Sequence, residues 1–467
     1  SREAKAGYLF AALSGSRTDG TRFIAEAVAN GAAAVLTADS AVVSDLAVPV
    51  ILDPAPRRRL ALIAAKFHAP QPVTIAAVTG TNGKTSVAAF TRQIWARHGW
   101  RAASLGTIGI VGPDFERPGS LTTPDPVVLH RELNALKRKG IDHVALEASS
   151  HGLDQNRLDG LALKAAAFTN LTRDHLDYHG TMENYFAAKK LLFDGTRYPA
   201  PRVAVLNAMD PASQALGFAA RTAGAEVRTY GIQAGDWRVS KYALTPAGAT
   251  LDLETPAGSA TVQSRLAGEV NLLNLLAALT AAHARGIACG DLFRFVPQLK
   301  PVPGRFQPVD AGQPFTVIVD YAHTDDALRN LTSLARQMTA RSGGRVLTVF
   351  GCGGDRDRTK RPKMGQAAGE GSDFVVATSD NPRSEDPRAI LAEVEPGLKS
   401  TDVRYVIEPD RAAAIHLALA TAQPHDVVLI AGKGHEKEQI LAGQTIPFDD
   451  AEVALSTLSE FGYGKVR

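Results

Sequence analysis

The sequence predicts an α/β protein of three domains, and three observations predict it. At 467 residues the chain exceeds what one ordinary core supports. Short apolar segments alternate with helical ones over two long stretches, the pattern of mostly parallel sheets covered by helices. A glycine-rich run, Gly80-Thr81-Asn82-Gly83-Lys84-Thr85, joins one such strand to the next helix, as in phosphate-binding loops. Two composition breaks divide the chain into 1–72, 73–300 and 301–467. One is the proline stretch Ala69-Pro70-Gln71-Pro72, which reads as a linker; the other is Lys300-Pro301-Val302-Pro303-Gly304.

The first segment is Ala-rich, with strands expected at Leu9–Leu13, Ala33–Leu36 and Val48–Leu52 and a helix near Phe23–Asn30. The second has strands at Ile75–Val78, His143–Leu146, Ala165–Thr169 and Arg202–Leu206. Between Trp237 and Leu266 it turns into an antiparallel ribbon, with turns at Pro246-Ala247-Gly248 and Pro256-Ala257-Gly258. The third restarts the rhythm at Thr316–Val319, Val346–Phe350, Phe374–Thr378, Val403–Ile407 and Val427–Ile430, with helices such as Ala327–Ala340 and Arg411–Ala422.

Hydrophobic residues are 45% and charged residues 21%, ordinary for a globular protein, and a net charge of +3 gives no reason to expect nucleic acid or a membrane surface. Cys289 and Cys352 stand far apart without metal spacing, which suits free thiols in a reducing compartment. No apolar run reaches transmembrane length and no signal peptide is visible. The chain opens at Ser1, without Met, inside what already reads as folded sequence, so a short N-terminal piece is expected before it.

The loop Gly80–Thr85 carries the first chemical inference. Its backbone N–H groups and the following helix start suit phosphate, Lys84 can reach terminal phosphates, and the Thr85 hydroxyl can hold Mg²⁺. Two residues separate Gly80 from Gly83, where the general P-loop has four. Glu147 closes a strand and is placed to ligate Mg²⁺, although alone it reads as a surface carboxylate. Asp174, His175, Asp177 and His179 crowd six positions, a density that favours a ligand among them. On the helix Met182–Phe193, Lys189 shares a face with Met182, Tyr185, Phe186 and Phe193, whereas Lys190 points away. Burial favours a neutral amine, and a neutral amine reacts with CO₂ to give a carbamate. Lys189 is therefore either a carbamylated, anionic ligand near a second Mg²⁺ or a snorkelling lysine.

In the last domain the predicted strand ends carry Asp320-Tyr321-Ala322-His323, Gly351–Arg356, Ser379–Arg383 and Gly432–Glu436. Open α/β sheets bind ligands at that edge, so four polar clusters there predict a site.

The ordered set Gly80–Thr85, Glu147–Leu153, Asn170–His179, Asn271 with Asn274, Pro303-Gly304-Arg305 and Asp320–His323 resembles the Mur ligase family of ATP-dependent amide-bond-forming enzymes. The resemblance spans nearly the whole chain. It implies a UDP-binding domain, a central ATPase domain and a Rossmann-like domain for an incoming amino acid. It implies ATP contacts from Gly80, Thr81, Asn82, Gly83, Lys84, Thr85, Asn271, Asn274, Arg305, Asp320 and His323. One Mg²⁺ would lie on Thr85 and Glu147, a second on His175 and a carbamylated Lys189 (N6-carboxylysine). Lys84, Glu147, His175 and Lys189 would then form the catalytic set.

Within the family the motifs are most similar to the ligase that adds the third residue to UDP-N-acetylmuramoyl-L-alanyl-D-glutamate. Ser1, Thr122, Thr123, Ser149, Gln155 and Arg157 match positions holding that nucleotide-sugar dipeptide. Asp380-Asn381-Pro382-Arg383 is similar to the mark of members that add meso-diaminopimelate. A guanidinium at Arg383 can grip the distal carboxylate that lysine lacks. Arg356, Asp380, Asn381, Gly432 and Glu436 match the remaining diaminopimelate contacts, with Glu436 suited to the distal ammonium. Asp325 departs from the family's proline, with an effect expected only at a helix start. The resemblance implies a cytoplasmic monomer in peptidoglycan precursor synthesis, with neither nucleic acid nor membrane insertion. The rivals are a lysine-adding ligase, disfavoured by Arg383, a folylpolyglutamate synthase-like ligase, disfavoured by the N-terminal domain, and a nucleotide-gated regulatory protein with an inactive site.

Overall fold

A computed structural model describes residues 4–15, 18–40, 46–119, 121–245, 248–340 and 342–464. The position proposed for Ser1, and Pro246 and Ala247 of the first ribbon turn, lie outside them.

Three large sheets follow one another along the described residues, and a two-stranded ribbon, Glu438–Leu441 with Gln444–Pro447, comes after the third. The first has three parallel strands, Leu9–Ala11, Ala34–Thr37 and Val50–Leu52, in that order. Its core is small, centred on Ala12, Ile24 and Val35, as alanine-rich sequence provides little side-chain volume. The helix Pro56–Phe67 packs on the central helix Pro126–Arg138. The presumed linker is tied down there: Asn134 donates to the Pro70 carbonyl at 2.9 Å, and Gln71 Nε2 stands 2.7 Å from His130 Nδ1.

The second sheet has 11 strands. Its parallel middle runs Trp237–Thr245, Glu226–Ile232, Val203–Asn207, Ala165–Phe168, Thr74–Thr79, His143–Glu147 and Ala102–Gly106. The antiparallel strands Gly248–Thr255 and Gly258–Ser264 extend one end, forming the ribbon expected from the turns. Both faces are covered, and the period of two sorts the side chains between them. Ala76 and Val78 join the cluster under the helices Lys84–Arg97 and Glu269–His283, while Ile75 and Ala77 join the opposite one with Leu129 and Leu133.

The third sheet has the order Gln307–Val309, Thr316–Asp320, Val427–Ala431, Val346–Cys352, Phe374–Ser379 and Arg404–Ile407, all parallel except the first. The last strand in sequence, Val427–Ala431, inserts beside Thr316–Asp320. Crossovers therefore diverge at that point, and the four polar clusters gather at one edge. A fully buried ion pair, Arg411 with Asp450 at 2.7 Å, braces this edge from below. Arg411 also donates to the carbonyls of Ser379 and Ala431, the last residues of two of those strands. Cys289 and Cys352 are free and buried.

Candidate active site

Packing requires the glycines of the phosphate loop. A Cβ at Gly80 would fall 1.8 Å from Thr169 Oγ1, and one at Gly83 would fall 2.4 Å from Asn274 Oδ1. Both residues take positive φ, 146° and 87°. Gly83 offers no side-chain cap, so the helix Lys84–Arg97 presents unpaired N–H groups at its start. The Asn170 side chain clips the loop through its Oδ1, which accepts from Asn82 N at 2.9 Å. Thr81 Oγ1 donates to the Thr172 carbonyl at 3.1 Å and accepts from Tyr185 Oη at 3.2 Å.

Two lysines enter this loop. Lys84 Nζ donates to the carbonyls of Gly80 and Thr81 at 2.9 and 2.8 Å. Lys189 is 1% exposed, as its helical phase predicted; its Nζ donates to the Gly80 carbonyl at 2.8 Å and lies 4.1 Å over the Tyr185 ring. Burial, then the charge of Lys84, holds the Lys189 amine well below the usual lysine range. The helix ends at Lys190, so Phe193 packs from the turn beyond it rather than from the helix itself.

Glu147 is not the surface residue its isolated sequence suggested; it is 1% exposed. Thr107 N donates to its Oε1 at 2.8 Å, and the hydroxyls of Thr85 and Thr107 donate to Oε2 at 3.0 and 3.1 Å. Thr107 carries no motif and sequence reasoning missed it. Among the described residues no group of three or more His, Cys, Asp or Glu forms a cage for a metal. A Mg²⁺ held by one carboxylate, one hydroxyl and substrate phosphates needs no such cage, and the Thr85–Glu147 pair fits that donor set.

His175 sits in the left-handed region at φ 53°, which turns its ring toward Asp174, with Nε2 at 3.5 Å from Oδ2. Burial pushes the imidazole down to about 3, leaving it neutral as a metal ligand requires. Burial alone would raise the pKa of Asp174, but His175 and Lys360 together hold it below the usual carboxylate range. His179 turns away from this centre, its Nε2 2.9 Å from Ser150 Oγ.

Beyond Glu147 lies a polar wing. Thr123 Oγ1 donates to the Glu147 carbonyl at 2.7 Å and accepts from Ser149 N at 3.0 Å. Thr122 and Thr107 hydroxyls are 3.0 Å apart. Arg157 reaches the Thr123 carbonyl and Gln155 Oε1, so Thr122, Thr123, Ser149, Gln155 and Arg157 lie in one hydrogen-bonded neighbourhood. Ser149 Oγ itself caps a short helix by accepting from Gly152 N.

The last domain docks on the loop region: Arg305 donates to Thr85 Oγ1 at 3.2 Å, Asn82 to Asp326 at 3.3 Å, and Lys360 to Asp174 at 2.6 Å. Asp320 is half-buried and accepts from Phe306 N at 2.6 Å, so it shapes the loop that carries Arg305. Asn271 holds its own helix start by donating to the Ala267 carbonyl at 2.9 Å. His323 is exposed beside the cleft, its Nδ1 2.8 Å from the Tyr321 carbonyl. The helix after it starts at Asp325 with Thr324 as its cap.

At the far end of the cleft, Arg383 takes φ 53° and donates to the Gly354 carbonyl at 2.7 Å. Asn381 Nδ2 donates to Glu436 Oε2 at 2.8 Å. Arg356 is exposed at the rim, and Asp380 is buried against Gly432, whose Cβ would fall 2.8 Å from Asp380 Oδ2. Burial, followed by the nearby Arg356, lowers the guanidinium of Arg383 from its ordinary value.

Three domains of the Mur ligase family match the chain in order. The Mur ligase family catalytic domain matches residues 1–68, the Mur ligase middle domain 78–282, and the Mur ligase glutamate ligase domain 304–434. The chain is 46% identical to the UDP-N-acetylmuramoyl-L-alanyl-D-glutamate–2,6-diaminopimelate ligase of Solibacter usitatus, over 99% of this chain and 93% of that one. It is 44% identical to the ligase of the same name from Geobacillus thermodenitrificans, over 98% and 94%. A solved structure of such a diaminopimelate ligase superimposes with a TM-score of 0.71 at 36% identity, covering 99% of this chain and 94% of that one.

Proposed function

The chain belongs to the Mur ligase family, and from that premise we propose that it joins meso-diaminopimelate to UDP-N-acetylmuramoyl-L-alanyl-D-glutamate at the expense of ATP. One observation carries the reading. The central domain's phosphate loop and its surroundings, with two lysines, are docked by Arg305, Asp326 and Lys360 of the last domain, the same domain whose strand ends carry Arg383, Asn381 and Glu436.

In the first step a carboxylate oxygen of the D-glutamyl side chain attacks the γ-phosphorus. A new P–O bond forms, the bond to the bridging oxygen breaks, and ADP leaves an acyl phosphate. In the second, the free amine attacks the acyl carbon, phosphate departs with its oxygen, and nitrogen loses a proton to give the amide. Phosphoryl transfer of this kind depends on alignment and charge stabilisation rather than covalent help. Lys84 and the N–H groups at its helix start receive the phosphates. Arg305 brings a further cation from the last domain. Thr85 and Glu147 would hold one Mg²⁺, and His175 with a carbamylated Lys189 a second; when bound, these ions neutralise charge on the transferred phosphoryl group. The Thr122–Arg157 wing orients the dipeptide carboxylate beside Glu147. These substrates belong to the cytoplasm, and no helix among the described residues is long and apolar enough to cross a membrane.

The test is phosphate release from ATP with the nucleotide dipeptide, comparing meso-diaminopimelate with L-lysine. Turnover with diaminopimelate alone is expected. Turnover with lysine would retain the ligase chemistry and remove the role given to Arg383; silence with both would favour a regulatory protein.

A further inference from the structure

Lys433 belongs to no predicted contact, yet it is fully buried, a state lysine rarely adopts without a partner. Its loop explains how it gets there. Gly432 and Gly434 flank it with φ of 118° and 56°. A Cβ at Gly434 would fall 2.7 Å from the Gly304 carbonyl oxygen. The two glycines let the backbone turn so that the lysine points inward.

Inside, Lys433 Nζ donates to Asn381 Oδ1 and to Glu436 Oε2, both at 3.1 Å. Asn381 Oδ1 also accepts from Ile440 N at 3.0 Å. An ammonium and a peptide N–H have no acceptor to offer, so the amide of Asn381 can take only one orientation. Its oxygen is occupied by two donors, and one Nδ2 hydrogen is bound to Glu436. What Asn381 can still offer a substrate is an N–H donor. Glu436 has Oε2 engaged twice and offers Oε1 as an acceptor.

We propose that Lys433 is the positioning residue that sets amine-substrate specificity, by fixing Asn381 as a donor and Glu436 as an acceptor for a zwitterionic amino-carboxylate head group. This rests on the reading of the amine substrate given above. The head group's carboxylate takes Arg383 and the Asn381 N–H; its ammonium takes Glu436. A side chain ending in ammonium alone, as in lysine, satisfies Glu436 and leaves two donors unpaired, which is how a polar pocket rejects an analogue. Lys433 itself touches no substrate.

The experiment compares wild-type, Lys433→Met and Asn381→Asp proteins in steady-state assays with meso-diaminopimelate and L-lysine. Lys433→Met is expected to raise the KM for diaminopimelate about tenfold to a hundredfold. Its kcat and its KM values for ATP and the dipeptide should stay within about twofold, and the preference over lysine should narrow. Asn381→Asp keeps an acceptor for Lys433 and Ile440 but replaces the donor with oxygen. It should raise the same KM in a protein that still folds, although the new carboxylate facing Glu436 Oε2 lowers its melting temperature, and it carries the test if Lys433→Met does not fold. A folded Lys433→Met with an unchanged KM for diaminopimelate, or with kcat and every KM impaired together, would overturn the proposal. So would an Asn381→Asp protein that uses diaminopimelate normally. A wild-type enzyme that ignores diaminopimelate overturns the functional reading and this proposal with it; a wild-type enzyme that uses it, beside an indifferent Lys433→Met, overturns the proposal alone.

Discussion

The side-chain nitrogens of Lys84 and Lys189 donate to the same acceptor, the carbonyl oxygen of Gly80, at 2.9 and 2.8 Å. Two ammonium ions sharing one buried carbonyl would repel strongly. Burial lowers both amines, and the charge of Lys84 lowers Lys189 further. A neutral Lys189 beside a charged Lys84 is the arrangement that removes the repulsion. A neutral amine is also the form that adds CO₂. A carbamate would keep one N–H for Gly80 and place a carboxylate, opposite in sign, next to the phosphate loop.

Lys189→Ala is therefore expected to lower kcat by about two to three orders of magnitude, the usual effect of removing one group that stabilises developing charge. Short carboxylic acids added to the assay should restore part of it by entering the vacated space. Failure of every short acid to restore activity in a folded variant would speak against the carbamate. Intact-mass measurement in bicarbonate buffer provides a second check.

Gly106 ends a strand against Glu147, and a Cβ there would stand 2.0 Å from Glu147 Oε1. The backbone of Gly106 needs no positive φ, so the substitution Gly106→Ala strains space rather than conformation. It should displace the carboxylate from Thr107 N and from Thr85, and with it the metal-binding geometry. The expected outcome is a loss of kcat/KM for ATP of about a hundredfold, the scale of a misplaced group at a reacting centre. The melting temperature should fall only slightly. An active Gly106→Ala protein would remove Glu147 from the nucleotide site.

Arg383→Ala should raise the KM for diaminopimelate by about tenfold to a hundredfold, the range for a charged hydrogen bond. The KM for ATP should barely move, since Arg383 bonds within its own domain, to the carbonyls of Gly354 and Asn381. Equal rises in both constants would refute its role as the carboxylate anchor.

Much of this site was legible because its signals are local. The strand–glycine–helix order around Gly80–Thr85, the helical phase of Lys189 and the polar strand ends of the last domain all depend on near neighbours in sequence. What could not be read depends on distant partners. Asp174 and Lys360 are 186 residues apart and meet only because the last domain docks on the loop after Phe168. Lys433 reads in sequence only as part of the polar strand end Gly432–Glu436, with no role of its own, since its burial follows from Asn381 on another strand end. Glu147 looked exposed because Thr107, its principal donor, carries no motif. The stretch Ala69–Pro72 looked like a free linker, but Asn134 and His130 of the next domain hold it. Composition reports turn chemistry and cannot report what docks on the turn.

The same docking makes a prediction about pH. His130 is fully buried between the first two domains, its Nδ1 2.7 Å from Gln71 Nε2 and its Nε2 2.9 Å from the Asp159 carbonyl. That pairing suits a neutral ring with the proton on Nε2; a second proton on Nδ1 would face the Gln71 amide nitrogen. Burial accordingly lowers its pKa from 6.5 to about 4. Between those values the unfolded chain binds a proton that the native chain does not, so stability rises with pH in this window. The contribution is complete above 6.5, falls as the solution is acidified, and is gone below about 4. A shift of this size corresponds to at most about 3 kcal/mol. Thermal melting of the wild type should therefore weaken steadily from pH 7 to pH 4. His130→Gln, which keeps an N–H for the Asp159 carbonyl and cannot titrate, should show a shallower slope over the same interval. Identical slopes in the two proteins would mean that the interface between the first and second domains does not sense protons through His130.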